Sequence, residues 1–293
     1  MTPKPSIQSI PSFGKNYYQM SVLRLDQIHP IVSGNKWYKL KYHLQEAFNH
    51  ACTTIASFGG PYSNHLVALA YAAQENKLKS IGYVRANNNE PLTPSLQDAF
   101  SFGMQLVFIG RTHFQETKNE LLQKNNTSSG IYFIDEGGYG AIGAKGAADI
   151  LDSKNTATFD TVICAVGTGT MLAGIINAAA PHQQIIGIPV LKNENSLAEE
   201  INTLVINKQT PWTLLHQFHQ GGYAKTTPAL IQWMNEFWDS EKIPTDIVYT
   251  GKLLFAVKEL MQADYFKPHS KILIIHSGGL QGNRSLPKNT LLF

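Results

Sequence analysis

The chain has little of what marks secreted, membrane-spanning or metal-binding proteins. Only two cysteines, Cys52 and Cys164, occur in 293 residues, and each lies in or beside an apolar run, so we expect buried, reduced thiols. The ten histidines form no HxxxH or HExxH pattern, and we expect no metal site. No apolar stretch has the length of a membrane span or of a signal-peptide core. The sequence therefore predicts a cytoplasmic protein with no membrane partner.

An excess of charge is also missing. The formal net charge is +3, charged residues make up 15% of the chain, and no basic run stands out. These values do not support a nucleic-acid-binding or membrane-surface protein, so we expect no nucleic-acid partner. The hydrophobic fraction of 43% is that of a globular chain, and the length suffices for one large or two ordinary domains.

Short β-branched runs alternate with amphipathic segments over most of the chain. The predicted strands are 53–58, 81–84, 105–109, 131–134, 161–166, 184–188, 246–249 and 271–276, and the predicted helices are 64–75, 94–102, one through 121–122, 172–180, 196–204, 228–238 and 252–262. Such a βαβα series predicts parallel sheets with helices on both faces. We therefore expect an α/β protein with two three-layer units and a cleft between them.

Glycine turns follow three of the predicted strands, after Phe58, Val166 and His276. Ligands of parallel sheets bind at the carboxyl ends of the strands. Because all three turns fall at such ends, they predict where a ligand binds.

The turn after Val166 has the features of an anion site. Gly167, Thr168, Gly169 and Thr170 connect a strand to a helix, so backbone N–H groups and hydroxyls converge at the positive end of the helix dipole. No Lys-Ser/Thr pair closes the turn as in a P-loop, and the third glycine of a dinucleotide-binding fingerprint is missing. A small phosphate fits this turn, and a plain tight turn capped by Thr168 or Thr170 fits equally well.

Ser33-Gly34-Asn35-Lys36 is a polar segment that we expect to form a loop. A lysine kept close to glycine, asparagine and the aromatic residues that follow can be partly desolvated. Desolvation lowers the pKa of its amine and supplies the neutral form that a Schiff base needs. A solvated surface lysine is the alternative, since most lysines are solvated.

Five motifs occur in order along almost the whole chain, from about Arg24 to Gly279. They are Ser33-Gly34-Asn35-Lys36-x-x-Lys39-Leu40, Ser57-x-Gly59-Gly60-x-x-Ser63-Asn64-His65, Thr168-Gly169-Thr170-x-x-Ala173-Gly174, Val248-Tyr249-Thr250-Gly251-Lys252 and His276-Ser277-Gly278-Gly279. With these motifs the sequence resembles the family of 1-aminocyclopropane-1-carboxylate (ACC) deaminase and D-cysteine desulfhydrase. The resemblance implies pyridoxal 5′-phosphate (PLP) as cofactor and the tryptophan synthase β-like fold (fold type II).

The resemblance also implies roles for the matched residues. Lys36 carries PLP and moves protons at the substrate Cα, Asn64 hydrogen-bonds the 3′-oxygen of PLP, and Tyr249 lies near the cofactor or the substrate. Cofactor contacts are expected from Lys36, Lys39, Asn64, Gly167, Thr168, Gly169, Thr170, Thr250 and Ser277, substrate contacts from Ser63, Asn64, His65 and Tyr249, and catalysis from Lys36, Ser63 and Tyr249. Without the resemblance, Ser63 is equally well explained as a helix N-cap and Tyr249 as a packed aromatic.

Two positions favour the desulfhydrase over the deaminase. ACC deaminases have a glutamate after the tyrosine and a leucine in the last motif, where this chain has Thr250 and Ser277. A carboxylate beside the pyridine nitrogen keeps it protonated and makes the ring a strong electron sink, whereas a hydroxyl leaves a weaker sink that suits loss of a thiolate. Two other departures concern the substrate: Tyr139 follows Gly137-Gly138, and His65 replaces a glutamine.

We therefore expect a PLP-dependent lyase that converts D-cysteine to pyruvate, sulfide and ammonia by α,β-elimination. Deamination of ACC or of another small (D-)amino acid is the alternative, and a non-catalytic PLP or phosphate-ligand binding protein is the rival of a different class. We further expect a large PLP-binding domain from residues 1–44 and 151–293, with residues 45–150 inserted as a smaller α/β domain. By resemblance, the chain forms a homodimer.

Overall fold

The computed structural model describes residues 4–13, 18–87, 90–124, 129–192 and 196–293. Its strands are β1 (Ser6–Ser9), β2 (Gln19–Arg24), β3 (Thr54–Gly59), β4 (Lys79–Arg85), β5 (Met104–Ile109), β6 (Ile131–Ile134), β7 (Thr161–Val166), β8 (Gln184–Pro189), β9 (Trp212–Leu214) and β10 (Lys271–His276). Its helices are α1 (Asn35–Asn49), α2 (Asn64–Glu75), α3 (Pro94–Ser101), α4 (Phe114–Gln123), α5 (Ala141–Ala148), α6 (Ser153–Thr156), α7 (Thr170–Ala178), α8 (Leu197–Leu204), α9 (Pro228–Glu241) and α10 (Thr250–Gln262). In the part of the chain so described, no helix is both long and apolar enough to cross a bilayer.

The strands form two separate sheets. One has six strands in the order β1-β2-β10-β7-β8-β9, and the other has four in the order β5-β4-β3-β6. The β1–β2 pair is antiparallel, and the remaining strand pairs of both sheets are parallel. The predicted α/β class with parallel sheets is therefore confirmed.

The six-stranded sheet is covered by helices on both faces, as the alternation of side chains along a strand requires. On β7, Ile163 and Ala165 point to a core that includes residues of α9 and α10. Val162 and Cys164, which alternate with them along the strand, point to a second core that includes residues of α5, α7 and α8. This sheet thus forms the middle of three layers.

The four-stranded sheet has an aliphatic face and an aromatic face. The aliphatic face packs on residues of α1, α2 and α3. On the other face the rings of Phe58 and Tyr83 stack at 5.2 Å, and Phe114 of α4 meets Phe58 edge-on at 6.4 Å. Helices again cover both sides.

The helices at both ends of the predicted insertion pack on the core of the six-stranded sheet. Helix α1 continues across the predicted boundary at residue 44, with Tyr38 in that core and Leu40 in the core of the four-stranded sheet. Ala144 and Ala147 of α5 also pack in the core of the six-stranded sheet. The domain boundaries themselves stay a prediction, and α1 packs in the cores of both sheets.

The structure corrects the prediction at two segments. The predicted strand 246–249 is wrong: these residues form an irregular segment and turn that lead into α10. The expected polar loop around Lys36 is the first turn of α1, which begins at Asn35. The glycine-rich segment before residue 150 contains α5, where a Cβ atom on Gly146 would lie 2.2 Å from the carbonyl oxygen of Tyr38. Glycine there allows α5 to approach α1 closely.

Candidate active site

The glycine turns after β3, β7 and β10 converge on the start of α1. Asn64 Nδ2, in the first turn of α2, donates to the carbonyl oxygen of Gly279 at 2.9 Å. Gly34 packs so closely on the segment after β10 that a Cβ atom would lie 1.7 Å from the Ser277 carbonyl oxygen. The structure thus brings the carboxyl ends of strands from both sheets together at one place.

Lys36 lies on the first turn of α1 and reaches into this place. Its Nζ donates to the carbonyl oxygen of Gly137 at 3.2 Å. Burial lowers the pKa of Lys36 to about 8, although the nearby Glu136 carboxylate opposes this shift. A Cβ atom on Gly137 would lie 3.9 Å from this Nζ and 3.3 Å from Thr168 Cγ2, so the missing side chain keeps the space between the lysine and the β7 turn open.

Lys39 lies one turn further along α1 and is 3% exposed. Its Nζ donates to the same Gly137 oxygen at 3.1 Å. Burial first, and then the charge of Lys36, lower the pKa of Lys39 well below its usual value. Because Lys36 is partly exposed and Lys39 is enclosed, Lys36 is the amine that a ligand in the cleft can reach.

The turn after β7 presents open backbone donors. Gly169 is the N-cap of α7 with φ 78°, and it provides no side chain to cap the helix. The first N–H groups of a helix have no partner within it, so they are available to an anion. The hydroxyls of Thr168 and Thr170 lie 3.2 Å apart beside them. These groups suit a phosphate.

Ser63 and Asn64 begin α2. The Ser63 hydroxyl oxygen accepts from the Leu66 N–H at 3.2 Å, which is the N-cap contact that the sequence left as the alternative. Asn64 Oδ1 is buried without a hydrogen-bond partner among the described residues. Leaving such a group unpaired costs about 1–3 kcal/mol, so a polar ligand beside it would relieve that cost.

His65 follows on α2, and its imidazole is buried. The ring is 3% exposed, and Nε2 lies 2.8 Å from Ser57 Oγ. Burial, and then the charges of Lys36 and Lys39, lower the pKa of His65 well below its usual value. Nδ1 is buried without a hydrogen-bond partner among the described residues, and the substrate contact of His65 stays a prediction.

Tyr249 lies against the β7 turn. A Cβ atom on Gly167 would lie 3.2 Å from Tyr249 Cε1, so glycine is needed for this approach. Burial first, and then the neighbouring Tyr223, raise the pKa of Tyr249 well above its usual value. Its phenol therefore keeps its proton and can donate a hydrogen bond.

The Thr250 hydroxyl is directed at Asp246. It donates to Asp246 Oδ1 at 2.7 Å and accepts from the Asp246 N–H at 2.7 Å. In this arrangement the hydroxyl proton is donated to Asp246, and the expected cofactor contact of Thr250 stays a prediction. Ser277, at the end of β10, is 6% exposed, and its carbonyl oxygen accepts from the Asn35 N–H at 3.0 Å.

Two residues at this site were missed by the sequence analysis. Tyr223 meets Tyr249 edge-on, with ring centroids 6.4 Å apart, and Asp246 accepts from the N–H groups of Val248, Tyr249 and Thr250 at 2.8 to 3.0 Å. Tyr223 follows Gly221-Gly222, but nothing in that pattern marked it as close to Tyr249. Asp246 lies four positions before Thr250, where an acidic side chain can accept from N–H groups of the turn that leads into a helix.

These residues fit PLP. The site combines an amine of lowered pKa, a turn with open N–H groups for a phosphate and a buried amide oxygen that lacks a partner. Among the described residues, no group of His, Cys, Asp and Glu side chains is arranged to hold a metal ion.

Comparisons with known proteins agree with this geometry. Residues 5–278 match the family described as "Pyridoxal-phosphate dependent enzyme". A putative 1-aminocyclopropane-1-carboxylate deaminase of Thermotoga maritima is 27% identical over 92% of this chain and 90% of its own. A bifunctional D-cysteine desulfhydrase/1-aminocyclopropane-1-carboxylate deaminase of Arabidopsis thaliana, described as mitochondrial, is 25% identical over 86% of this chain and 70% of its own.

The fold is also found among solved structures. The crystal structure of an ACC deaminase homologue superposes with a TM-score of 0.80 at 23% sequence identity, covering 96% of this chain and 90% of that one. The expected PLP-dependent fold is thereby confirmed, and PLP is the cofactor. The chain belongs to the family of pyridoxal-phosphate-dependent enzymes, and within that family it is similar to proteins named as ACC deaminase and D-cysteine desulfhydrase.

Proposed function

We propose that this PLP-dependent enzyme acts on a small amino acid with a leaving group at Cβ, D-cysteine first, and releases pyruvate, sulfide and ammonia. The observation that carries this proposal is the pairing of Thr250 with Asp246. The Asp246 carboxylate is 0% exposed and accepts from three backbone N–H groups and from the Thr250 hydroxyl. Neither residue of this pair offers a free carboxylate to the pyridine nitrogen.

Bound PLP supplies an electron sink for the pair left on Cα when its proton leaves. A sink without a facing carboxylate is weaker, and it suffices when a stable anion such as thiolate departs from Cβ. Opening a cyclopropane ring demands a stronger sink. The Thr250–Asp246 pair therefore supports elimination over ring opening.

The chain's own residues divide the remaining work. Lys36 Nζ, with its pKa lowered to about 8, is the base that takes the Cα proton. The first-turn N–H groups of α2, together with Ser63 and Asn64, hold the substrate carboxylate. Tyr249, whose phenol stays protonated, donates a hydrogen bond to the departing thiolate. Gly167 to Thr170 hold the phosphate, and the Lys39 amine lies beside Lys36 as a further hydrogen-bond donor.

ACC deamination is the second candidate. It is favoured by the printed names of the relatives from Thermotoga maritima and Arabidopsis thaliana, of which the second carries both activities. The two reactions differ in their keto acid, because D-cysteine yields pyruvate with sulfide and ACC yields 2-oxobutanoate.

The test is product analysis with the PLP-loaded protein. We expect sulfide and pyruvate from D-cysteine, at a turnover well above any formation of 2-oxobutanoate from ACC. Lys36→Ala should abolish turnover, whereas Lys41→Ala, which changes an exposed lysine of the same helix paired with Asp149, should retain it. Turnover of ACC alone would replace the first proposal by the second, and full activity of Lys36→Ala would remove Lys36 from the mechanism.

A further inference from the structure

Lys252, the last residue of the Tyr249 motif, lies where a cation is disfavoured. It is the third residue of α10, and its side chain is 0% exposed. The positive end of the helix dipole and the loss of hydration both act against an ammonium group at this position. Burial lowers the pKa of Lys252 to about 8, and the Asp246 carboxylate opposes this shift. A lysine in such a place needs strong compensating contacts.

Those contacts are backbone oxygens of the loop 216–225. Lys252 Nζ donates to the carbonyl oxygens of His219 at 3.0 Å and of Gly222 at 2.5 Å. The same two oxygens accept the turn bonds of this loop, from the N–H groups of Gly222 and Lys225. The ammonium group thus bridges two carbonyl oxygens of the loop, and we call this oxygen pair the carbonyl cage. Backbone carbonyl oxygens are also the groups with which proteins coordinate a bare monovalent cation.

The backbone of this loop is strained. Gln220 and Ala224 have φ values of 52° and 53°, and Gly221 and Gly222 have φ values of 90° and 110°. Left-handed backbone at residues other than glycine is unfavourable and persists only when the surroundings hold it. The two bonds to Lys252 are charge-assisted, and they hold the loop from the inside.

The loop carries Tyr223 to the active site. The rings of Tyr223 and Tyr249 meet edge-on, with centroids 6.4 Å apart. Tyr249 in turn packs against Gly167 of the phosphate turn. A continuous series of contacts therefore leads from Lys252 through the loop to the residue proposed to hydrogen-bond the departing thiolate.

We propose that Lys252 is a positioning residue whose ammonium group acts as a built-in monovalent cation, filling the carbonyl cage of the loop 216–225 and so holding Tyr223 on Tyr249. The importance of Tyr249 rests on the proposed function. The state of the loop can be measured without any substrate.

The test compares Lys252→Met with Lys258→Met. Lys258 lies on the same helix, and its amine lies over the rings of Trp233 and Phe255. Tryptic cleavage after Lys225, an exposed residue of the loop, reports how often the loop opens. We expect cleavage of Lys252→Met to be at least about tenfold faster than that of the wild type, because two charge-assisted bonds are lost. Lys258→Met should be cleaved at the wild-type rate.

Potassium ions should refill the empty cage. In potassium chloride, cleavage of Lys252→Met should slow toward the wild-type rate, and turnover of the proposed substrate should recover through kcat. Tetramethylammonium chloride at equal ionic strength, whose cation is too large for the cage, should do neither. The wild type should respond to neither salt. Faster cleavage that potassium does not slow, or unchanged cleavage of Lys252→Met, would overturn the proposal.

A second variant covers the case in which Lys252→Met does not fold. Tyr223 is 48% exposed, so Tyr223→Phe should fold. It should lower kcat while leaving the cleavage rate after Lys225 unchanged, because the loop remains on Lys252. An unchanged kcat would contradict the claim that the loop acts on Tyr249 through Tyr223. If the proposed substrate is wrong, the cleavage rates and their potassium response still test the cage.

Discussion

At the scale of single residues, the site depends on two lysines whose pKa the fold lowers. Lys36 and Lys39 share the Gly137 carbonyl oxygen, and burial lowers the pKa of both. In each lysine the neutral amine is favoured more than in a surface lysine, because an ammonium group at these positions is poorly hydrated. For Lys36 this becomes chemically useful, because a neutral amine attacks an aldehyde and an ammonium group does not.

The lowered pKa of Lys36 predicts the pH dependence of cofactor loading. Below about pH 8 the rate of covalent attachment of PLP to the cofactor-free protein should rise about tenfold per pH unit, and above pH 8 it should level off. An ordinary lysine would keep gaining neutral amine until its pKa near 10.5. The rate can be followed by trapping the adduct with borohydride at each pH and locating it by mass spectrometry. A midpoint near the ordinary value would show that Lys36 is solvated.

At the scale of elements, the start of α10 depends on one carboxylate. Asp246 accepts from the N–H groups of Val248, Tyr249 and Thr250, which otherwise have no partner at the helix start. Asp246→Ala should lower the free energy of unfolding by about 2 kcal/mol, because these buried N–H groups lose their acceptor. Urea unfolding measures this loss.

Thr227→Ala is the matched control for Asp246→Ala. Thr227 caps α9 through the Leu230 N–H at 3.1 Å, and α9 carries none of the proposed site residues. We expect it to cost about 1 kcal/mol and to leave turnover unchanged. Asp246→Ala should also impair turnover, since the Asp246 carboxylate accepts from the N–H groups of Tyr249 and Thr250. Equal turnover in the two variants would contradict a link between these contacts of Asp246 and the site.

The contact of α5 with α1 should tolerate no side chain. A Cβ atom at Gly146 would lie 2.2 Å from the Tyr38 carbonyl oxygen, so Gly146→Ala must push the helices apart. We expect a loss of about 1–3 kcal/mol, measured by thermal unfolding. Gly110→Ala is the control, because its nearest atom would be Asn87 Oδ1 at 3.8 Å, and it should be close to neutral. Similar melting temperatures for both variants would contradict the close packing.

The elements that periodicity marks clearly were predictable, and those set by distant partners were not. Helix α2 and strands β6, β7 and β10 were predicted at their observed bounds, because apolar runs and flanking turns define them locally. The segment 246–249 is apolar enough for a strand, but the Asp246 carboxylate takes its N–H groups before a sheet can. In the site, the sequence motifs predicted Lys36 and Tyr249 as site residues. Tyr223 and the Thr250–Asp246 pairing depend on tertiary contacts that no local pattern carries.

At the scale of the whole molecule, the cofactor should join parts of the chain that belong to different cores. Lys36 lies on α1, the phosphate turn starts α7 on the six-stranded sheet, and Asn64 starts α2 on the four-stranded sheet. A ligand that binds only the folded chain stabilises it, by about 2.7 kcal/mol at a concentration 100 times its Kd. PLP should therefore raise the melting temperature of the cofactor-free protein by several degrees. Pyridoxal, which lacks the phosphate, should raise it less, and an equal shift would contradict a role for the 167–170 turn.

The place of β10 in its sheet has a consequence for how the enzyme is made. The strands of the four-stranded sheet follow one another between Thr54 and Ile134, so this sheet can pair while synthesis continues. The six-stranded sheet cannot, because β10 lies between β2 and β7 although it is the last strand in sequence. A growing chain thus carries a finished smaller sheet beside a larger one with a central gap. Ser277 and Gly279 directly follow β10 in the sequence. PLP can therefore bind only to chains whose synthesis has passed that strand.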